Sequence, residues 1–179
     1  TETWKLKKGM GHNHTEAESA ALLAYLELQK QGVFLLSSKK TPRGINGALK
    51  DAVTEHGGID IAFIDHLQEL LPDGNDRFAK RHYQLETILQ ELRDMARGYN
   101  IPIVLAAQVG RSSEGREPNI AEIKDSGSIE QIADVVMIIH AENRGSGMRT
   151  INVAKHRNGP TGKISLFLEG KYLRFEEVL

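Results

Sequence analysis

The spacing of apolar positions changes several times along the chain, and each change predicts an element. Thr15-Glu16-Ala17-Glu18 forms a capping box ahead of the apolar stretch 20–28, so a helix is expected over about 16–31, stopped by Gly32. Val33-Phe34-Leu35-Leu36 predicts a short buried strand, and Thr41-Pro42-Arg43-Gly44 a turn. Ile45, Leu49 and Val53 then recur at helical spacing until Gly57-Gly58. Residues 59–64 are nearly all apolar, the pattern of a parallel strand covered on both faces. After the polar loop 72–76, Leu85, Ile88, Leu89, Leu92, Met95 and Ala96 mark one face of a long amphipathic helix closed by Gly98. Residues 101–107 predict the next buried strand and 112–118 a loop. A short helix around 129–133 precedes a strand at 135–139. Strands at 150–154 and 163–168 flank the turn 157–162 as a hairpin. Strands alternating with helices, then a terminal hairpin, indicate an α/β fold with a mainly parallel sheet.

Composition narrows the class. The 179 residues favour one domain, and 40% hydrophobic with 26% charged residues is ordinary for a water-soluble globular chain. No apolar run reaches the roughly 18 residues that span a bilayer, and the absence of cysteine excludes disulfides and thiolate metal sites, which fits a cytoplasmic protein. The net charge of -1 gives no global basic footprint, so the chain does not read as a protein that coats DNA. A ring touching one strand through a few inward loops is still compatible with it. The first residue is Thr1, which raises the expectation of a fragment or a processed product.

Four places carry candidate chemistry. Ile61-Ala62-Phe63-Ile64-Asp65 is an apolar strand ending in a carboxylate. A nucleotide motor uses that arrangement to hold an acid beside the Mg²⁺ on the phosphates, although an Asp also simply ends many strands. Ala106-Ala107-Gln108 repeats the pattern on the next strand, and ligands bind at the carboxyl ends of parallel strands. Lys124-Asp125-Ser126-Gly127-Ser128-Ile129-Glu130-Gln131 combines small residues, backbone donors and a cation. It suits single-stranded phosphates, or a helix N-terminus capped by Ser126 or Ser128, or both. Lys155-His156-Arg157 leads into the hairpin turn, and alternation on a strand aims Lys155 and Arg157 to one side; a solvated basic strand end reads the same way.

Other signals fail. Gly159-Pro160-Thr161-Gly162-Lys163-Ile164 is not a phosphate loop, because GxxxxGK[ST] requires Gly where Arg157 stands and Ser or Thr where Ile164 stands; no other segment matches. His12 and His14 lack an obvious third metal ligand. Arg77, Lys80, Arg81 and His82 read as a solvated helix entrance.

Taken in order, Ile64-Asp65-His66-Leu67-Gln68, the strand ending at Gln108, the string Asp125 through Val136 (DSGSIEQIADVV) and the string Ala154 through Gly162 (AKHRNGPTG) closely resemble DnaB-type replicative helicases. The similarity runs over about 33–175. The resemblance implies a RecA-like P-loop NTPase core, with residues 1–179 forming a single partial motor domain. It implies ATP and Mg²⁺ as cofactors, hydrolysis at subunit interfaces of a homo-hexamer, and translocation on single-stranded DNA; primase and a helicase loader are further candidate partners. Asp65 then corresponds to the Walker B carboxylate that holds Mg²⁺ through water, and Gln108 to the phosphate sensor. Lys124, Asp125, Ser126 and Gly127 fall in the DNA-binding loop, and Lys155 and Arg157 match the finger residues that reach a neighbour's nucleotide.

The chain also departs from the family. Lys124-Asp125 replaces the more usual Arg-Glu, Glu69 an apolar residue, and His66 an aromatic one. The phosphate loop, its strand and the strand bearing the usual catalytic Glu are expected upstream of Thr1. Because the phosphate-loop strand is central in such sheets, its absence is expected to expose apolar strand edges. A non-catalytic module binding a helicase or single-stranded DNA is the alternative, and Arg157-Asn158-Gly159-Pro160 disfavours a recombinase-like ATPase.

Overall fold

A computed structural model describes residues 19, 23, 24, 26–28, 30, 32, 33, 40–74, 79–110, 117–123, 126–141, 143 and 145–178. Two compact units divide at Ser38 and Lys39. In the first, the described residues between 19 and 30 are helical, and Gly32 turns left-handed at φ 78° where the helix was expected to stop. The capping box at 15–18, the strand beyond Val33, His12, His14 and Arg77 lie outside the described residues.

The second unit opens with α1 (Pro42–His56). The expected turn at 41–44 is instead its beginning: Thr41 Oγ1 accepts from the Gly44 amide at 3.2 Å, and Pro42 takes the first-turn place where an amide is not needed. Gly57, at φ 80°, closes the helix. Next come β1 (Ala62–Ile64), a 3-10 turn (Leu67–Glu69), α2 (Arg81–Tyr99) and β2 (Ile103–Leu105). Gly98 does not close α2; Asn100 does, in the left-handed region at φ 54°. β1 and β2 pair in parallel, Phe63 opposite Val104. A second 3-10 turn (Ile120–Glu122) precedes α3 (Ser126–Ile132), β3 (Val135–His140), β4 (Met148–His156), β5 (Gly162–Glu169) and β6 (Arg174–Glu177). These four strands form an antiparallel sheet in chain order, with a bulge between Val136 and Met137. β6 was not expected, and α3 starts earlier than expected, which places Ser128 inside the helix as a buried side chain and not as its cap.

The amphipathic faces meet in one core. Ile45 and Leu49 of α1 cluster with Leu85, Ile88, Leu89 and Leu92 of α2, with Leu67 and Leu70 of the turn, and with Val136 and Ile138 of β3. Each fully buried Leu or Ile contributes about 1.5–3 kcal/mol. The strands, however, are not covered on both faces by described residues. Phe63 is 73% exposed, and Val104, Val135, Met137 and Ile139 are exposed as well. Among the described residues, each strand of the small sheet is paired on one side only, and β3 is an edge of the large one. Their apolar composition therefore provides for neighbours that the described residues do not supply.

Candidate functional site

The tips of β1 and β2 are tied together beyond their ladder. The Ala106 amide donates to Ile64 O and the Leu67 amide to Ala106 O, both at 2.9 Å. These bonds fix the backbone on either side of Asp65, while the wholly buried Leu67 anchors the turn beneath it. Asp65 is left with its side chain 90% exposed. Gln108 leaves the neighbouring tip, its backbone N–H donating at 3.1 Å to Gln68 Oε1. His66 stands between them: its Nδ1 lies 3.5 Å from Asp65 Oδ1, and its Nε2 lies 3.1 Å from Gln108 Nε2. Two residues singled out by sequence thus sit on one short side-chain chain, through a third that had only been noted as a departure.

Support comes from α2. Arg81, far from being a solvated entrance residue, donates from its two terminal nitrogens to Leu70 O at 3.0 Å and Gln68 O at 3.2 Å. It holds the carbonyls of the 3-10 turn; Lys80 and His82 remain exposed as expected. Glu69 pairs with Lys40 at 2.8 Å, and that hydrogen bond, with the charge of Lys40, holds its carboxyl below the ordinary value of 4.5. Gln68 Nε2 is buried with no partner among the described residues.

The basic pair lies at the end of β4, opposite β3. Lys155 Nζ donates to Glu130 O and, at 2.8 Å, to Ala133 O. Arg157 places one guanidinium nitrogen 2.7 Å from Asp134 Oδ1 and another 3.3 Å from Gln131 O. The Arg157 amide also donates to Asp134 O at 2.9 Å. Only Lys155 lies on β4; Arg157 stands in the turn just after it, so strand alternation does not align the two, yet both face the carboxyl end of α3, where unpaired carbonyls favour positive charge. Asp134 was missed because its role depends on the β3–β4 pairing and not on local sequence. In the turn beyond, the exposed His156 ring packs over Gly159: a Cβ there would come within 2.3 Å of the ring, whose Nδ1 faces Pro160 O at 3.1 Å, so the ring would have to move aside.

Of the expected DNA loop, Lys124 and Asp125 lie outside the described residues, while Ser126 and Gly127 open α3. Gly127 is exposed, and a Cβ added there would meet nothing within 4 Å. Among the described residues no three His, Cys, Asp or Glu side chains gather to hold a metal, and no helix is long and apolar enough to cross a membrane.

A family model described as DnaB-like helicase C terminal domain matches residues 2–177. The chain belongs to that family. Among its relatives, the replicative DNA helicase DnaB of Treponema pallidum is 44% identical over 117 residues, covering 65% of this chain and 26% of the relative. The DnaB of Haemophilus influenzae is 28% identical over 185 residues, covering 97% of this chain and 39% of the relative. The chain therefore spans about two-fifths or less of these relatives' lengths. Two solved structures have the same fold, each at a TM-score of 0.79: a DnaB-like replicative helicase studied with primase, at 24% identity, and a separately solved ATPase domain, at 23%. The chain is covered to 98% and 100%, and those chains to 45% and 66%. The DnaB-like family and the RecA-like α/β fold expected from the motifs are thereby established, with an antiparallel sheet following the parallel pair.

Proposed function

We propose that this chain supplies part of the ATP-hydrolysing motor of a hexameric replicative DNA helicase, which unwinds duplex DNA by moving along a single strand. The observation that carries the reading is the exposed Asp65 beside Gln108 at the carboxyl ends of two adjacent parallel strands. Asp65 offers a hard oxygen ligand, and among the described residues no three His, Cys, Asp or Glu side chains gather to hold a metal, which suits Mg²⁺ held mostly by water and nucleotide phosphates. With ATP bound, Mg²⁺ would neutralise charge on the β- and γ-phosphates. Gln108 has an amide that can orient the attacking water or contact the γ-phosphate.

Lys155 and Arg157 are assigned to a neighbouring subunit's nucleotide, and Lys124, Asp125, Ser126 and Gly127 to single-stranded DNA. The unit 1–179 is read as part of one motor domain, completed by a phosphate-loop strand from upstream. That strand suits the open apolar faces around Phe63, Val104 and Met137. Primase and a loader are the further partners, and the cytoplasm the compartment. Full-length rings carrying Asp65→Ala should lose ATP turnover by at least about a hundredfold, in line with other groups that stabilise transition-state charge. Normal turnover in that variant, or none in the parent ring, rejects the reading; the latter outcome favours a non-catalytic module.

A further inference from the structure

The family position held by His66 usually carries an aromatic residue, and the geometry gives the imidazole a task that a plain ring cannot perform. An amide nitrogen carries only hydrogens to donate, so the 3.1 Å contact between Gln108 Nε2 and His66 Nε2 requires the ring nitrogen to be the acceptor. In neutral histidine the proton is then on Nδ1, which lies 3.5 Å from Asp65 Oδ1, longer than an ordinary hydrogen bond. That tautomer accepts from Gln108 through Nε2. It also fixes the Gln108 amide: with the nitrogen held by His66 and the backbone amide held by Gln68 Oε1, the side-chain Oε1 is left without a partner among the described residues. At a mere 24% exposure, the ring has little freedom to swing away.

We propose that His66 is a positioning residue, which holds the Gln108 amide through Nε2 so that Gln108 Oε1 is presented as a hydrogen-bond acceptor, the orientation needed to align an attacking water. The inference rests on Gln108 facing the nucleotide, as assigned above. It separates sharply from a packing role through three substitutions in the full-length ring. Phe keeps the ring's bulk and removes both nitrogens. Gln places a carbonyl oxygen near the position of Nε2, whereas Asn places its polar atoms near Nδ1.

Steady-state ATP turnover and equilibrium binding of a fluorescent ATP analogue with Mg²⁺ are measured for each. His66→Phe should lower kcat by about tenfold, the scale of one neutral hydrogen bond, with KM and analogue affinity unchanged within about twofold. His66→Gln should restore most of kcat and His66→Asn should not. In a double variant, His66→Phe should add nothing to Gln108→Ala, because the two act through one contact. The proposal is overturned by normal kcat in His66→Phe, by Asn rescuing as well as Gln, or by affinity falling in step with kcat. Where the Phe protein fails to fold, the Gln and Asn proteins decide alone. Gln108→Ala separates the two levels: if it turns over normally, the assignment of Gln108 itself is wrong. If it is slow while His66→Phe is normal, only the role of His66 falls.

Discussion

Replacing Arg157 by Ala distinguishes a catalytic finger from a surface cation, because the two make very different demands on energy. In cis, Arg157 contributes an ion pair with Asp134 at 2.7 Å, between side chains 40% and 63% exposed. A pair so open to water stabilises the fold by at most about 1 kcal/mol. Its contact with Gln131 O, at 3.3 Å, is long. Those two contacts use one N–H from each terminal nitrogen, which leaves three of the guanidinium's five donors for a phosphate. A finger reaching a neighbour's nucleotide is worth on the order of 10³ to 10⁵ in turnover, about 4–7 kcal/mol. Arg157→Ala in the full-length protein should therefore abolish turnover while shifting urea stability by about 1 kcal/mol or less. Action in trans is checked by mixing these subunits with subunits whose own phosphate loop is disabled. Mixed rings contain interfaces that join an intact pocket to an intact finger, so partial activity should return. Near-normal turnover of Arg157→Ala rings refutes the finger. Mixed rings that demonstrably form and recover nothing refute its action in trans.

The isolated 179-residue chain should show no ATP turnover, since no GxxxxGK[ST] occurs in its sequence; turnover that disappears in Asp65→Ala would contradict this. Gly127→Ala should leave folding intact or improve it by up to about 1 kcal/mol, because the added Cβ meets nothing, yet weaken single-stranded DNA binding in the assembled ring. Lys124→Ala should lower the salt dependence of that binding by about one released ion, and unchanged affinity in the double variant would remove the loop assignment. The hydrogen bond from Lys163 at 2.6 Å, followed by its charge, holds the Glu117 carboxyl below its ordinary 4.5. A depressed carboxylate contributes stability that is present above 4.5 and is lost as pH falls through its folded value, so the Tm difference between parent and Glu117→Gln should vanish in acid; a difference that grows in acid contradicts the pairing.

What the sequence disclosed and what it hid divide along physical lines. A strand tip is a local event: the first polar residue after the apolar run Ala62–Ile64 emerges where the strand ends, so the places of Asp65 and Gln108 at strand tips were legible locally, while their roles came only with the family resemblance. The partners of those residues are tertiary events. Nothing in the string around His66 reveals that its ring meets a side chain 42 positions away, and nothing around Arg81 reveals that it clamps the turn at 68–70. The basic pair Lys155 and Arg157 belongs to both classes. That both cations stand at the end of β4 could be read from order, but their seat on α3 follows from register, because pairing Val136 with Lys155 brings the helix end beside the strand. The expectation of doubly covered strands failed for a reason of the same kind. An apolar run records how much cover a strand requires over the whole protein, not which segment provides it. Phe63 and Val104 are hydrophobic on a face that no described residue covers. The relatives are longer than this chain, and on the proposed reading both the cover and the phosphate loop come from a segment upstream of it. On that reading one upstream segment supplies both the cover and the motif, and adding it should protect Phe63 and Val104 from solvent in the same step that confers nucleotide binding.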